Sequence, residues 1–218
     1  MQTDMTVGKP MKMILDFTIP VFIGNVFQQF YNMADAIIVG KFVGTKGLAA
    51  VGSTGTIMFL IIGFLMGLTA GFTVLTSQKF GAGKMDEMRQ SVGNAALLSI
   101  IISVIMTAVS MVGMHSLLTL MHTPEDIFQD AYTYIMIISA GIIATIFYNL
   151  FSSYLRAVGN SKIPLVFLVF SAALNVILDL VLIINFKMGV AGAALATIIS
   201  QGVSAILCLV YIYIRMPS

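Results

Sequence analysis

The sequence predicts an all-α membrane protein, a single bundle of six transmembrane helices that takes up residues 1–218. Three observations predict this fold: 59% of the residues are hydrophobic, only 9% are charged, and long stretches carry no charge. An ordinary soluble domain carries about 25% charged residues, because water must cover its surface. The composition excludes a soluble enzyme, and the net charge of +2 gives no reason to expect a nucleic-acid partner. The lipid bilayer is the expected surroundings.

Charged residues divide the chain into apolar segments that are long enough to cross a bilayer, which takes about 20 residues of helix. The first and fifth segments each contain one aspartate near the end, Asp35 and Asp179. Each segment is expected to be helical, because a backbone in lipid must satisfy its own hydrogen bonds. The second segment exceeds one crossing, so it either overshoots into solvent or carries a short interfacial piece. The predicted spans are 14–40, 47–78, 90–114, 127–155, 162–186 and 189–214.

The distribution of basic residues predicts the orientation, since cytoplasmic loops are enriched in lysine and arginine. With six spans, both termini and the 2–3 and 4–5 loops share one side of the membrane. That side carries Lys9, Lys12, Lys79, Lys84, Arg89, Arg156, Lys162 and Arg215. The other side carries only Lys41, Lys46 and Lys187. The bias places both termini in the cytoplasm.

Polar residues recur at helical spacing in three spans and give each of them a polar face. These residues are Asn25, Gln28, Tyr31, Asn32 and Asp35 in the first span, Ser171, Asn175 and Asp179 in the fifth, and Thr197, Ser200, Gln201 and Ser204 in the sixth. A polar face is unfavourable against lipid, so the three faces should enclose a polar cavity in the outer half of the bundle. The expected lining is Tyr31, Gln28, Asn32 and Gln201. Alternatively, the amides and hydroxyls only form hydrogen bonds between helices.

The two aspartates are the strongest functional candidates, because an ionisable residue deep in a span commonly has a function. No lysine or arginine lies deep in a predicted span to neutralise them. Two carboxylates in one cavity can hold a proton, or can coordinate a hard cation together with amide and hydroxyl oxygens. Both are the chemistry of ion coupling, and no tightly bound cofactor is expected. Pro20 is expected to kink the first helix, as a hinge or as a static bend.

Several segments, in order along the chain, resemble one family of membrane proteins. They are Pro20 with Gln28–Asp35, then Val39–Gly44, Gly47–Gly52, Leu155–Pro164, Leu174–Asp179 and Gly189–Thr197. They are similar to helices one, two, five and six and to the 4–5 loop of the multidrug and toxic compound extrusion (MATE) transporters. Together they cover most of the chain.

The resemblance implies a cation-coupled antiporter of the plasma membrane that exports amphiphilic, often cationic drugs against H⁺ or Na⁺. The site for the coupling ion, which is also the metal site if that ion is Na⁺, would comprise Asp35, Asn175, Asp179 and Thr197. Tyr31 would line the same cavity, and Pro20 would be the bending point of the first helix. MATE transporters have two lobes of six helices, so the chain resembles the N-terminal lobe. A second lobe is an expected partner.

Three other functions stay open at this point. A lipid-linked oligosaccharide flippase of the same superfamily would need several cationic residues for a pyrophosphate, which the predicted anionic cavity lacks. An intramembrane aspartyl protease could use Asp35 and Asp179 as its dyad. Ala34 and Leu178, which precede the two aspartates, do not fit the sequence contexts of such proteases. A fragment without its partner lobe would not transport.

Overall fold

The computed structural model describes residues 10–215, which form eight α-helices and one π-helical turn. Their bounds are α1 Pro10–Phe42, α2 Thr45–Ser53, α3 Gly55–Gly81, α4 Met85–Leu120, α5 Glu125–Ala140, α6 Ile142–Ala157, α7 Lys162–Leu180, the π-helical turn Val181–Asn185 and α8 Gly189–Arg215. In this part of the chain, five helical segments are long and apolar enough to cross a membrane, and the bent pair of α5 and α6 gives a sixth. The predicted all-α fold is confirmed.

Large apolar side chains cover the outer surface of the bundle. Val112 is 84% exposed, Phe59 76% and Leu120 73%. In water so many exposed side chains would drive association, whereas in a bilayer they face lipid tails. The helices are therefore held together by close packing and interhelical hydrogen bonds rather than by burial from water.

The second predicted span is divided into two helices. The short helix α2 ends at Ser53, and α3 begins at Gly55. Thr54 lies between them, and its hydroxyl donates a hydrogen bond to the carbonyl of Val51 at 2.7 Å. The extra length of this segment is therefore a separate short helix and not an overshoot of one long helix.

The fourth predicted span is broken at Gly141, where α5 and α6 meet at an angle of 49°. A Cβ atom at Gly141 would lie 2.4–2.6 Å from three side-chain atoms of Ile198 on α8. Only glycine lets α8 approach the break so closely. The prediction of one continuous helix over 127–155 was therefore wrong, and the reason is a contact with a distant part of the chain.

The last helix lies at the centre of the bundle. α8 packs against α5, α6 and α7, and α1 packs against α7. One apolar cluster joins α1, α5, the π-helical turn and α8, and it contains Ile38, Val39, Tyr134, Ile138, Ile183, Val190, Ala193 and Ala194. The small residues of α8 let neighbouring backbones come close, as is typical of membrane bundles.

Ion pairs at the two ends of the bundle agree with the predicted path of the chain. Lys46, in the first turn of α2 beside the 1–2 connection, pairs with Asp126, in the first turn of α5 beside the 3–4 connection, at 3.3 Å. At the 2–3 connection, Lys79 in the last turn of α3 and Lys84 just before α4 both pair with Glu87. The 1–2 and 3–4 connections therefore lie at the same end, as alternating membrane crossings require. Exposed pairs of this kind contribute little stability.

Candidate functional site

Two aspartates from different helices meet inside the bundle. Asp35 lies near the end of α1, and Asp179 lies near the end of α7, which packs against α1. Their carboxyl groups are within hydrogen-bonding reach of each other, and Asp179 is fully buried. A hydrogen bond between two carboxyl groups requires a proton on one of them, so the pair suits a shared proton or another shared cation.

Three more residues complete this group, which we call the aspartate cluster: Tyr31, Asp35, Asn175, Asp179 and Thr197. The amide of Asn175 satisfies both neighbours when its nitrogen faces Asp179. Nδ2 then donates to Oδ2 of Asp179 at 3.1 Å, and Oδ1 accepts from the backbone N–H of Thr197 at 3.2 Å. Oγ1 of Thr197 lies 3.4 Å from the same amide and accepts a hydrogen bond from the Tyr31 hydroxyl at 3.5 Å.

Each carboxyl group in the aspartate cluster keeps one buried oxygen without a partner, Oδ1 of Asp35 and Oδ1 of Asp179. Among residues 10–215, no basic side chain forms an ion pair with either group. Unpaired carboxylate oxygens are unfavourable in an apolar interior. Two carboxylates with the Thr197 hydroxyl nearby suit a proton or Na⁺. No group of three or more acidic, histidine or cysteine side chains is placed to hold a metal in the described residues.

Tyr134 is a neighbour of the aspartate cluster that the sequence analysis missed. It lies on α5, is only 7% exposed, and is close enough to Asp35 and Asp179 to interact with them electrostatically. The fourth span carries several tyrosines, and nothing in their spacing singles out this one. The close approach of α5 to α8 brings it to the cluster.

A separate cavity of about 100 Å³ lies toward the opposite end of the bundle, and we call it the Arg156 cavity. Its lining comes from α1, α3, α6, α7 and α8 and from the 4–5 connection. It consists of Pro20, Val21, Gly24, Asn25, Gln28, Ile62, Met66, Thr145, Tyr148, Asn149, Ser152, Arg156, Ser161, Pro164, Leu165, Leu168 and Gln201. The members of the aspartate cluster are not part of this lining.

The polar faces predicted to enclose one cavity are therefore divided between two sites. Gln28 and Gln201 line the Arg156 cavity, and Asn32 is exposed on α1 and belongs to neither site. Gln201 instead accepts a hydrogen bond from the Thr145 hydroxyl at 2.5 Å. Helical spacing placed these residues on the correct faces but could not place them at the correct depth. Of the four predicted lining residues, only Tyr31 lies with the aspartates.

Arg156 is a cavity residue that the sequence analysis did not identify, because it lies just beyond the predicted span 127–155. It lies in the last turn of α6, is half-buried, and lines the cavity that bears its name. Nη2 donates to the Ser152 hydroxyl at 3.0 Å, and Nε donates to the Ser152 carbonyl at 3.3 Å. Ser152 lies one helical turn before Arg156, so these contacts hold the guanidinium back along α6.

Six candidate membrane spans around a pair of interior carboxyl groups are typical of polytopic membrane transport proteins. The MatE family model matches residues 20–181. Because that match covers most of the chain, the protein belongs to the MATE family of transporters. This membership also removes the protease interpretation of Asp35 and Asp179, since the family consists of transporters and not of enzymes.

The chain is similar to the probable multidrug resistance protein YpnP of Bacillus subtilis (strain 168), with 34% identity over 209 residues, 96% of this chain and 47% of YpnP. A solved structure of an outward-facing multidrug resistance MATE transporter matches 97% of this chain and 47% of that one, with 28% identity and a TM-score of 0.90. A transporter of the same superfamily from Pyrococcus furiosus, described as having a binding pocket of reverse polarity, matches with the same identity and TM-score over 97% and 46%. The chain spans about half the length of the curated relatives it matches.

Proposed function

We propose that this chain forms one lobe of a plasma-membrane antiporter in which H⁺ or Na⁺ binds the aspartate cluster and drives the export of amphiphilic, often cationic drugs. The observation that carries the proposal is the pair of interior carboxyl groups. Asp35 and Asp179 are within hydrogen-bonding reach, each has an unpartnered buried oxygen, and no basic side chain of residues 10–215 forms an ion pair with them.

The chemistry of coupling follows from the charge of this pair. Two carboxylates side by side in an apolar interior repel each other, and one bound cation relieves the repulsion. Asn175 donates a hydrogen bond to Asp179, and the Thr197 hydroxyl connects the site to Tyr31. A cationic drug and the coupling ion are both attracted by this negative charge, so binding of one weakens binding of the other. Each binding event shifts the conformational equilibrium only by its difference in affinity for the two conformations.

A second lobe is part of the proposal, and the surface of α1 supports it. Asn25, Gln28 and Asn32 are exposed along one side of this helix. Exposed amides at membrane depth are unfavourable against lipid. A second six-helix lobe facing α1 would place these amides in a polar cleft where a drug could pass. The chain alone would then be an incomplete transporter, and its partner would be a further segment or a separate chain.

Pro20 is proposed as the hinge of α1. The helix runs from Pro10 to Phe42 without a break, and Pro20 lies buried in its interior, where it has no N–H to donate to the preceding turn. Asp35 lies on the same helix beyond this point. Bending at Pro20 would move the aspartate cluster relative to the Arg156 cavity.

One observation supports the flippase alternative, and another counts against it. Arg156 gives the second cavity a positive charge, and a relative with a pocket of reverse polarity shares the fold. A pyrophosphate carries several negative charges and calls for several cations around it. Arg156 is the single basic residue that lines the cavity in the described part of the chain. Drug export with cation coupling is therefore the better-supported function.

The test is dye efflux from membrane vesicles that contain the chain together with its second lobe. Ethidium efflux is driven by an imposed proton or sodium gradient and compared among Asp35→Asn, Asp179→Asn and the unchanged protein. Either substitution removes a charge from the shared site, so efflux should fall roughly tenfold or more, within the usual range of coupling energies. The matched control is Asp16→Asn, which removes an exposed carboxylate from the same helix. Near-normal efflux in both cluster variants would exclude the aspartates from coupling, and loss of folded protein would indicate a structural role.

A further inference from the structure

We propose that the Arg156 cavity binds the anionic head group, a carboxylate or a phosphate, of an amphiphilic molecule. This site lies apart from the aspartate cluster, and it goes beyond the proposed coupling mechanism without depending on it. The proposal rests on the guanidinium, on the polar groups around it, and on the size and shape of the cavity.

Arg156 has free hydrogen-bonding capacity. A guanidinium carries five N–H donors. Two of them donate to Ser152, and the other three have no protein acceptor among residues 10–215. No acidic side chain of that part of the chain pairs with Arg156. A half-buried cation without a counter-charge is an incomplete arrangement, and an anion in the cavity would complete it.

Polar side chains that can donate hydrogen bonds surround Arg156 in the cavity. The walls around Arg156 contain the amides of Asn25, Gln28 and Asn149 and the hydroxyl of Ser161, and each can donate to an oxyanion. Among residues 10–215, no aspartate or glutamate lines the cavity. The site therefore offers donors to an anion and no carboxylate to repel it.

The size of the cavity limits the ligand that it can enclose. A volume of about 100 Å³ is well below the roughly 300–1,000 Å³ of pockets that enclose a drug-sized ligand. It suits a compact head group. Ile62, Met66, Leu165 and Leu168 form an apolar wall beside the polar groups. A hydrocarbon tail can lie along this wall while the head group faces Arg156, so the expected ligand is amphiphilic.

A planar fork of donors recognises a carboxylate or phosphate by two parallel hydrogen bonds. Either a free amphiphile or an anionic lipid can supply this group.

The experiment uses the complete protein in phosphatidylcholine nanodiscs and dansyl-labelled undecanoic acid as the probe. The uncharged primary amide of the same probe measures the contribution of the tail. Binding is followed by dansyl fluorescence.

Arg156→Gln should weaken binding of the acid roughly tenfold or more, the usual loss for a charged hydrogen-bonding partner, and should leave binding of the amide unchanged. Arg156→Lys keeps the charge but loses the fork, so it should also bind the acid more weakly. The matched control is Lys162→Gln, which removes an exposed cation next to the cavity and should have little effect. Failure of the coupling proposal is detected separately, in the efflux assay of Asp35→Asn and Asp179→Asn, which does not measure binding of the acid.

Two further arms complete the test. The same measurement is repeated in nanodiscs that contain the anionic lipid phosphatidylglycerol. If this lipid supplies the anion, it competes with the acid, so the unchanged protein should bind the acid more weakly than in phosphatidylcholine, whereas Arg156→Gln should show no such change. An unchanged affinity would leave the free amphiphile as the ligand. If neither Arg156 variant folds, undecanoate should protect Arg156 of the unchanged protein from phenylglyoxal, and the amide should not. The proposal is overturned if both variants bind the acid normally, if Lys162→Gln weakens binding equally, if the amide binds as tightly as the acid, or if undecanoate gives no protection.

Discussion

The aspartate cluster and the Arg156 cavity are built on the same helices but have opposite charge. α1, α7 and α8 contribute to both, and the cluster holds two carboxyl groups in contact whereas the cavity holds one guanidinium beside open space. Pro20 in the cavity and Asp35 in the cluster are fifteen residues apart on α1, which is about 22 Å along a helix. The two sites therefore lie at different depths of the membrane.

The comparison of the two sites shows that residues on one polar face of a transmembrane helix can belong to two different sites. The residues of α1 share one side, yet Gln28 lies at the cavity while Asp35 lies at the cluster. Tyr31 of the cluster is close enough to Tyr148 of the cavity lining to interact with it electrostatically, so the two regions adjoin at these tyrosines. The sites are neighbours, and a movement of α1 would affect both.

The largest effect is expected from labelling, which tests whether the two regions lie toward opposite sides of the membrane. Met121→Cys, at the aspartate end, should react with an impermeant thiol reagent added outside the cell, and Ala82→Cys, at the other end, should not. Both positions are exposed and have ordinary negative φ angles. The native Cys208 is buried and serves as the unlabelled background. The reverse pattern would invert the proposed orientation.

A smaller but measurable effect should come from the break between the two regions. Gly141→Ala would push a Cβ into Ile198, and such overpacking costs about 1–3 kcal/mol. The melting temperature should fall, as read from the reaction of Cys208 with a thiol dye on unfolding. Ile198→Ala added to Gly141→Ala should destabilise less than the two single changes combined, since the double change removes the collision.

Gly93→Ala on α4 is the matched control, because nothing lies within 4 Å of a Cβ at that position. It should be neutral or slightly stabilising. An unaltered melting temperature in Gly141→Ala would show that the close contact with α8 does not maintain the break.

The smallest effect is expected at the proposed hinge. Pro20→Ala restores the missing backbone donor and should stiffen α1, so efflux should slow several-fold while cation binding at Asp35 and Asp179 persists. Pro164→Ala is the control, since Pro164 also lines the cavity but lies in the first turn of α7, where a proline removes no helical hydrogen bond. Parallel loss of ion binding and efflux would contradict the hinge.

Much of the fold was predictable, because the lipid bilayer imposes strong constraints. Uncharged segments of sufficient length marked all six spans, and spacing by helical turns brought Tyr31, Asp35, Asn175, Asp179 and Thr197 onto facing surfaces. The resemblance to the MATE family implied the same residues. Residues one turn apart on one face lie only about 5 Å apart along the helix, so Tyr31 with Asp35 and Asn175 with Asp179 can reach the same site.

The break at Gly141 and the inward position of Arg156 could not be predicted from the sequence. Glycine in an apolar segment is common in membrane helices, and the contact that requires it comes from Ile198, 57 positions later. Arg156 follows an apolar span and is easily taken for a loop residue at the surface. Its position depends on where α6 ends and on the packing of α1 and α7, which are tertiary features.

The most direct test of the account measures whether Asp35 and Asp179 form one cation site. Infrared difference spectra of the purified protein, recorded on lowering the pH and on adding Na⁺, follow the carbonyl band of a protonated carboxyl group. The account predicts one such band that responds to the cation in the unchanged protein and in Asp16→Asn, and its loss in both Asp35→Asn and Asp179→Asn. A band that stays unchanged when either cluster aspartate is replaced would contradict the shared site.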